Sequence, residues 1–134
     1  MKVLLLTPEP IDEALLRTAV GDELNDAEVL VVSPATNQSK LAFWIGDADE
    51  AIAEAEAAKE ETVERLEAAG VDAAGQVGES QPAVALQDAL VTFAADRVVI
   101  ALRPQGKRDY REDAALADVE ERYGIPVSWL EVGS

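Results

Sequence analysis

Arg103, Lys107, Arg108 and Arg111 bring four of the chain's eleven basic residues into one short stretch. Guanidinium groups fork onto carboxylate or phosphate oxygens, and an ammonium adds a compact point charge, so this is chemistry for holding an anion. Gln105 and Gly106 lie inside the stretch. Asp109 and Glu112 form an acidic version of a capping box for a helix from about Tyr110 to Tyr123, which turns a helix N-terminus toward the same place. Two hydroxyls complete the candidate nucleotide- or anion-binding set: Thr7, in the turn after the first strand, and Ser33, at the end of the second. The weightier alternative is that the cations are neutralised by Asp109, Glu112 and Asp113, because exposed ion pairs are common and individually weak.

Other reactive chemistry is scarce. The chain has no cysteine and no histidine. It therefore lacks disulfides, thiol nucleophiles, the usual zinc donors and the common neutral-pH general base. Ser33, Ser39, Ser80, Ser128 and Ser134 have no histidine partner, and no Gly-x-Ser-x-Gly elbow surrounds any of them. Asp47, Asp49, Glu50, Glu54, Glu56, Glu60 and Glu61 read as the solvated side and dipole-favouring first turn of a helix, so no metal site is expected. Phe43 and Trp44 could stack on an adenine, but covering a sheet edge or a dimer partner is the stronger reading. No residue is assigned a catalytic role, and the expectation leans away from an enzyme.

The elements that must position these residues alternate between apolar strand-like runs and helical patterns, the signature of an α/β parallel sheet covered by helices. Val3 to Leu6 is the first strand. A helix follows, with Pro10 in its first turn, a stripe of Ile11, Leu15, Leu16 and Ala19, and Gly21 after Val20. Glu28 to Ser33 is continuously apolar enough to lie centrally beside the first strand. Asp47 caps a long Ala/Glu-rich helix that stops at Gly70, with Ile52, Ala55, Val63 and Leu66 toward the sheet. Val71 to Val77 is a third strand, which Gly75 assigns to an edge. Ser80 is read as the N-cap of a third helix running through Ala95, with Val84, Leu86, Leu90, Val91 and Ala94 inward. Arg97 to Leu102 is the fourth strand. Gly124 closes the fourth helix, and Val127 to Val132 is the last strand.

With 134 residues and 49% hydrophobic content, the chain fits a single domain, 1–134, with its own core. Eleven basic against 27 acidic residues leave a formal charge of −16. That field repels phosphate backbones and anionic lipid surfaces, so neither a nucleic-acid nor a membrane partner is expected. The opening Met1 to Leu6 starts like a signal peptide, but Thr7-Pro8-Glu9-Pro10 interrupts it, and a cytoplasmic location is expected. Asn37-Gln38-Ser39 matches a glycosylation sequon that has no consequence there.

The order of elements resembles the universal stress protein family. The likeness is carried by Lys2-Val3-Leu4-Leu5-Leu6, by the helix and strand from Gly78 to Leu102, and by Ile125-Pro126-Val127-Ser128-Trp129-Leu130. The resemblance implies a five-stranded parallel sheet in the order 3-2-1-4-5 with helices on both faces, a three-layer sandwich. It also implies a homodimer, with Val127, Trp129 and Glu131 of the final strand as the candidate interface. In the ATP-binding branch of that family an adenine nucleotide sits at the carboxyl edge.

Two departures bear on that ligand. The resemblance implies an acidic residue in a Val-Asp-Gly-Ser-like turn after the first strand, whereas this turn is Thr7-Pro8-Glu9-Pro10, with Glu9 a displaced substitute. It also implies a loop after the fourth strand of the form Gly, two residues, Gly, nine residues, Gly, Ser/Thr. Here the loop reads Arg103-Pro104-Gln105-Gly106-Lys107-Arg108-Asp109, with Gly106 its one glycine. Side chains at the other positions block close approach of backbone to phosphate, and Pro104 removes an amide donor. The expectation is a non-catalytic, dimeric binding or regulatory domain of the stress-protein type that requires no cofactor and does not bind ATP in the usual way. The alternative is an adenine-nucleotide or phosphate binder, or a slow hydrolase, that uses Arg103 to Arg111. A structural module meeting an unknown protein partner through the final strand and the Phe43-Trp44 loop comes third.

Overall fold

The computed structural model describes residues 1–35, 48–79, 81–102 and 110–131, with the backbone alone at 48–51, 102 and 110–115. Five strands, β1 (Lys2–Leu6), β2 (Glu28–Pro34), β3 (Asp72–Gly78), β4 (Arg97–Leu102) and β5 (Val127–Glu131), form one sheet in the order β3-β2-β1-β4-β5. All neighbouring pairs are parallel. The expected strand order is therefore observed. β1 sits at the centre, with Val3 opposite Val29 on one side and Arg97 on the other.

Burial on both faces follows from the unbroken apolar character of β1 and β2. Val3, Leu5, Val29 and Val31 point to one cluster, shared with Leu16 and Val20 of α1 (Glu13–Val20) and Leu66 of α2 (Ala48–Ala68). Leu4, Leu6, Val32 and Ile100 point to the other, shared with Leu86 of α3 (Pro82–Thr92) and Leu116 of α4 (Tyr110–Tyr123). Two helices thus cover each face of the sheet.

Several local readings are corrected. Pro10 precedes the first helix, whose N-cap is Asp12, the side chain of which accepts from Leu15 N at 2.9 Å. Gln81, not Ser80, stands at the N-cap of α3, extended at φ −91° and ψ 115°. Pro82 occupies the first helical position, where its missing N–H costs nothing, and it holds the residue before it extended. Ser80 and Asp47 lie outside the described residues. α3 ends at Thr92 because Phe93 turns extended, so Ala95 is not helical.

The buried stripe of α3 is Pro82, Ala85, Leu86 and Ala89. Val91 is 83% exposed and Val84 also faces outward, contrary to the reading that placed both inside. Ala85 meets Gly78 at the end of β3, a close approach that a larger side chain at either position would prevent. Ile52 is likewise exposed on α2, whereas Ala55, Ala58, Thr62 and Leu66 are buried at helical spacing. Gly70 and Gly124 follow α2 and α4 at φ of 86° and 66°, the left-handed conformation that ends a helix at low cost in glycine.

Candidate functional site

The carboxyl edge of the sheet is where open α/β folds receive ligands, and it gathers Thr7 and Ser33. Thr7 N donates to Val32 O at 2.9 Å, extending the β1–β2 ladder past Leu6 and setting Thr7 beside Ser33. Leu5 and Val31 face α1 and α2, so alternation along the strands places Thr7 and Ser33 on that same face. Both are fully buried.

Their hydrogen bonding differs. Thr7 Oγ1 donates to Glu9 O at 2.6 Å, which curls the turn after β1 back on itself. Thr62, a third buried hydroxyl, pins the far end of that turn: its Oγ1 accepts from Ile11 N at 3.2 Å and donates to Ala58 O at 2.8 Å. Ser33 Oγ has no hydrogen-bond partner among the described residues. A buried hydroxyl left unpaired costs free energy, so such atoms mark places where a ligand or water can be held.

Thr62 was not singled out from the sequence, yet a signal for it exists. It falls in step with Ala55, Ala58 and Leu66, the sheet-facing stripe of α2, and a threonine on such a stripe needs a partner. Glu9 is half-buried in the turn, with its carbonyl engaged by Thr7. Of the basic cluster, Arg111 falls in the first turn of α4. Arg103, Gln105, Gly106, Lys107 and Arg108 lie outside the described residues, as do Phe43 and Trp44.

The final strand carries the second group of candidate residues. β5 pairs only with β4, and no strand lies on its other side among the described residues. Val98 N donates to Pro126 O at 3.0 Å, which turns the backbone groups of Pro126, Ser128 and Leu130 toward β4. Alternation then turns the N–H and C=O of Val127, Trp129 and Glu131 outward. Trp129 is 42% exposed on this edge, opposite Ile100. The three residues named as a candidate interface are thus the three with outward backbone groups.

No group of acidic residues that could hold a metal ion occurs among the described residues. No described helix is long and apolar enough to cross a membrane.

The fold is similar to a solved universal stress protein from Archaeoglobus fulgidus, with a TM-score of 0.64 over 98% of this chain and 93% of that one. The two sequences are 20% identical, so the likeness establishes a universal-stress-protein-like fold. No family model matches the sequence. No curated protein matches it either.

Proposed function

We propose that this universal-stress-protein-like chain is a non-catalytic binding domain that works as a homodimer joined along β5. The supporting observation is the open edge at Val127, Trp129 and Glu131, with three alternate residues offering backbone donors and acceptors beside a half-exposed indole. An unpaired strand edge is a template for another strand, and an aromatic residue on it supplies contact area at low entropic cost. The absence of histidine and cysteine from the sequence supports binding over catalysis. Sedimentation velocity tests the association: wild type runs as a dimer and Trp129→Glu as a folded monomer. A monomeric wild type at high concentration overturns the reading.

A second reading is favoured by one observation, the unpartnered Ser33 Oγ beside Thr7 at the carboxyl edge. Here the domain takes a phosphate or an adenine nucleotide, with Arg103, Lys107, Arg108 and Arg111 supplying charge in place of a glycine cradle. ATP or inorganic phosphate then raises the melting temperature, and Arg103→Ala with Lys107→Ala abolishes the rise. No shift at saturating concentrations removes this reading and leaves the β5 dimer untouched.

A further inference from the structure

β3 is the opposite edge of the sheet, and its outward groups can be assigned in the same way. Ala35 N donates to Gly78 O at 3.1 Å, so Gly78 turns its backbone toward β2. By alternation, Gln76, Ala74 and Asp72 do the same, whereas Ala73, Gly75 and Val77 turn N–H and C=O outward. No strand pairs with these groups among the described residues. Proteins blunt such edges with lysine, proline, a bulge or an inward charge. β3 has none of these: its register with β2 is continuous from Glu28↔Asp72 to Pro34↔Gly78, and its one charge is at the first residue.

What stands beside the edge is acidic. Gly75 lets α2 lie close over β3, since a Cβ there would stand 2.5 Å from Lys59 Cγ and 3.0 Å from Val63 Cγ2. The flank of α2 that carries Lys59 and Val63 therefore overhangs the edge strand. Helical spacing puts Glu56 and Glu60 on that flank, both exposed, and Lys59 is already engaged with Glu56 at 3.9 Å. Ile52, exposed, lies on the same flank and adds an apolar spot.

We propose that the β3 edge, overhung by the acidic flank of α2, accepts an extended lysine- or arginine-bearing segment of another protein as a sixth strand. The outward groups of Ala73, Gly75 and Val77 bind its main chain, and Glu56 and Glu60 receive its cations. Main-chain pairing supplies affinity in this mode, and alternate side chains supply specificity. Long basic side chains suit the place because their stems cover Val63 and Ile52 while their heads reach the carboxylates. The chain's charge of −16 steers a cationic partner inward. A second copy brings the same acids and is repelled at this edge. The proposal is independent of the β5 dimer.

Amide exchange on the full chain, with a short synthetic peptide of alternating lysine and valine, tests it. The peptide is expected to slow exchange at Ala73, Gly75 and Val77 and to leave Val127, Trp129 and Glu131 unchanged. Glu56→Gln with Glu60→Gln, both exposed, weakens binding by about tenfold. Ala73→Pro abolishes it, because proline at an outward position removes a donor without breaking the β2 ladder. If Ala73→Pro does not fold, the glutamine variant decides. Three results overturn the proposal: equal binding by a glutamate-for-lysine peptide, slowing confined to β5, or β3 amides already slow without peptide because something else covers them.

Discussion

Gly78 lies so close to Ala85 that a Cβ added to the glycine would stand 2.6 Å from the alanine Cβ. The contact is where α3 meets the end of β3, and Val32 Cγ1 closes the third side at 3.1 Å. Neither neighbour can swing away, because one is a helix methyl fixed to its backbone and the other belongs to a central strand. Gly78→Ala is therefore expected to destabilise the fold by about 1–3 kcal/mol through overpacking, measured by urea denaturation. Gly75→Ala meets Lys59 Cγ at 2.5 Å and Val63 Cγ2 at 3.0 Å; it should cost less, since both side chains are only partly buried and can turn away from the sheet. A smaller cost at Gly78 than at Gly75 contradicts this packing.

That close approach also explains what the sequence conceals. The strands were legible because β1, β2 and β4 are continuous β-branched or leucine runs, and α4 was legible because Gly124 and the Asp109 to Glu112 pattern bracket it. α3 was misread at its buried face. Hydrophobicity favours Val84 and Val91, but which face is buried depends on how near the helix comes to Gly78, and Ala85 is the residue that meets it. Proximity between Gly78 and Ala85 is a tertiary fact with no local signature. Ser33 could be proposed as a site residue from its position at a strand end, but its lack of a partner depends on what surrounds it.

Thr62→Val keeps the shape of the side chain and removes the acceptor for Ile11 N, leaving a buried backbone donor unsatisfied. The expected loss is about 1–2 kcal/mol, with faster amide exchange at Ile11 as its local sign. Thr62→Ser retains the hydroxyl and should preserve the slow exchange. Equal exchange in all three proteins contradicts the assigned bond.

Ser33→Ala has the opposite sign. Removing a buried hydroxyl that has no partner among the described residues relieves a desolvation penalty on the order of 1 kcal/mol, so the melting temperature should hold or rise. A clear fall means that Ser33 Oγ is paired within the fold and is not free to meet a ligand.

The charge of −16 makes self-repulsion a global term. Screening shortens its reach to about 8 Å at physiological ionic strength, so added sodium chloride should raise the melting temperature. Exposed pairs such as Arg65 with Glu61, at 2.6 Å, weaken under the same screening but contribute little. Constant or falling stability across the salt series contradicts a dominant repulsive field.

Native mass spectrometry of the gently purified full chain tests the proposed function most directly, because one spectrum reports both association and bound ligand. The account predicts a dimer of unmodified mass that becomes monomeric on Trp129→Glu. A monomer in the wild type contradicts it, and a dimer carrying the mass of a nucleotide replaces the ligand-free account with the second reading.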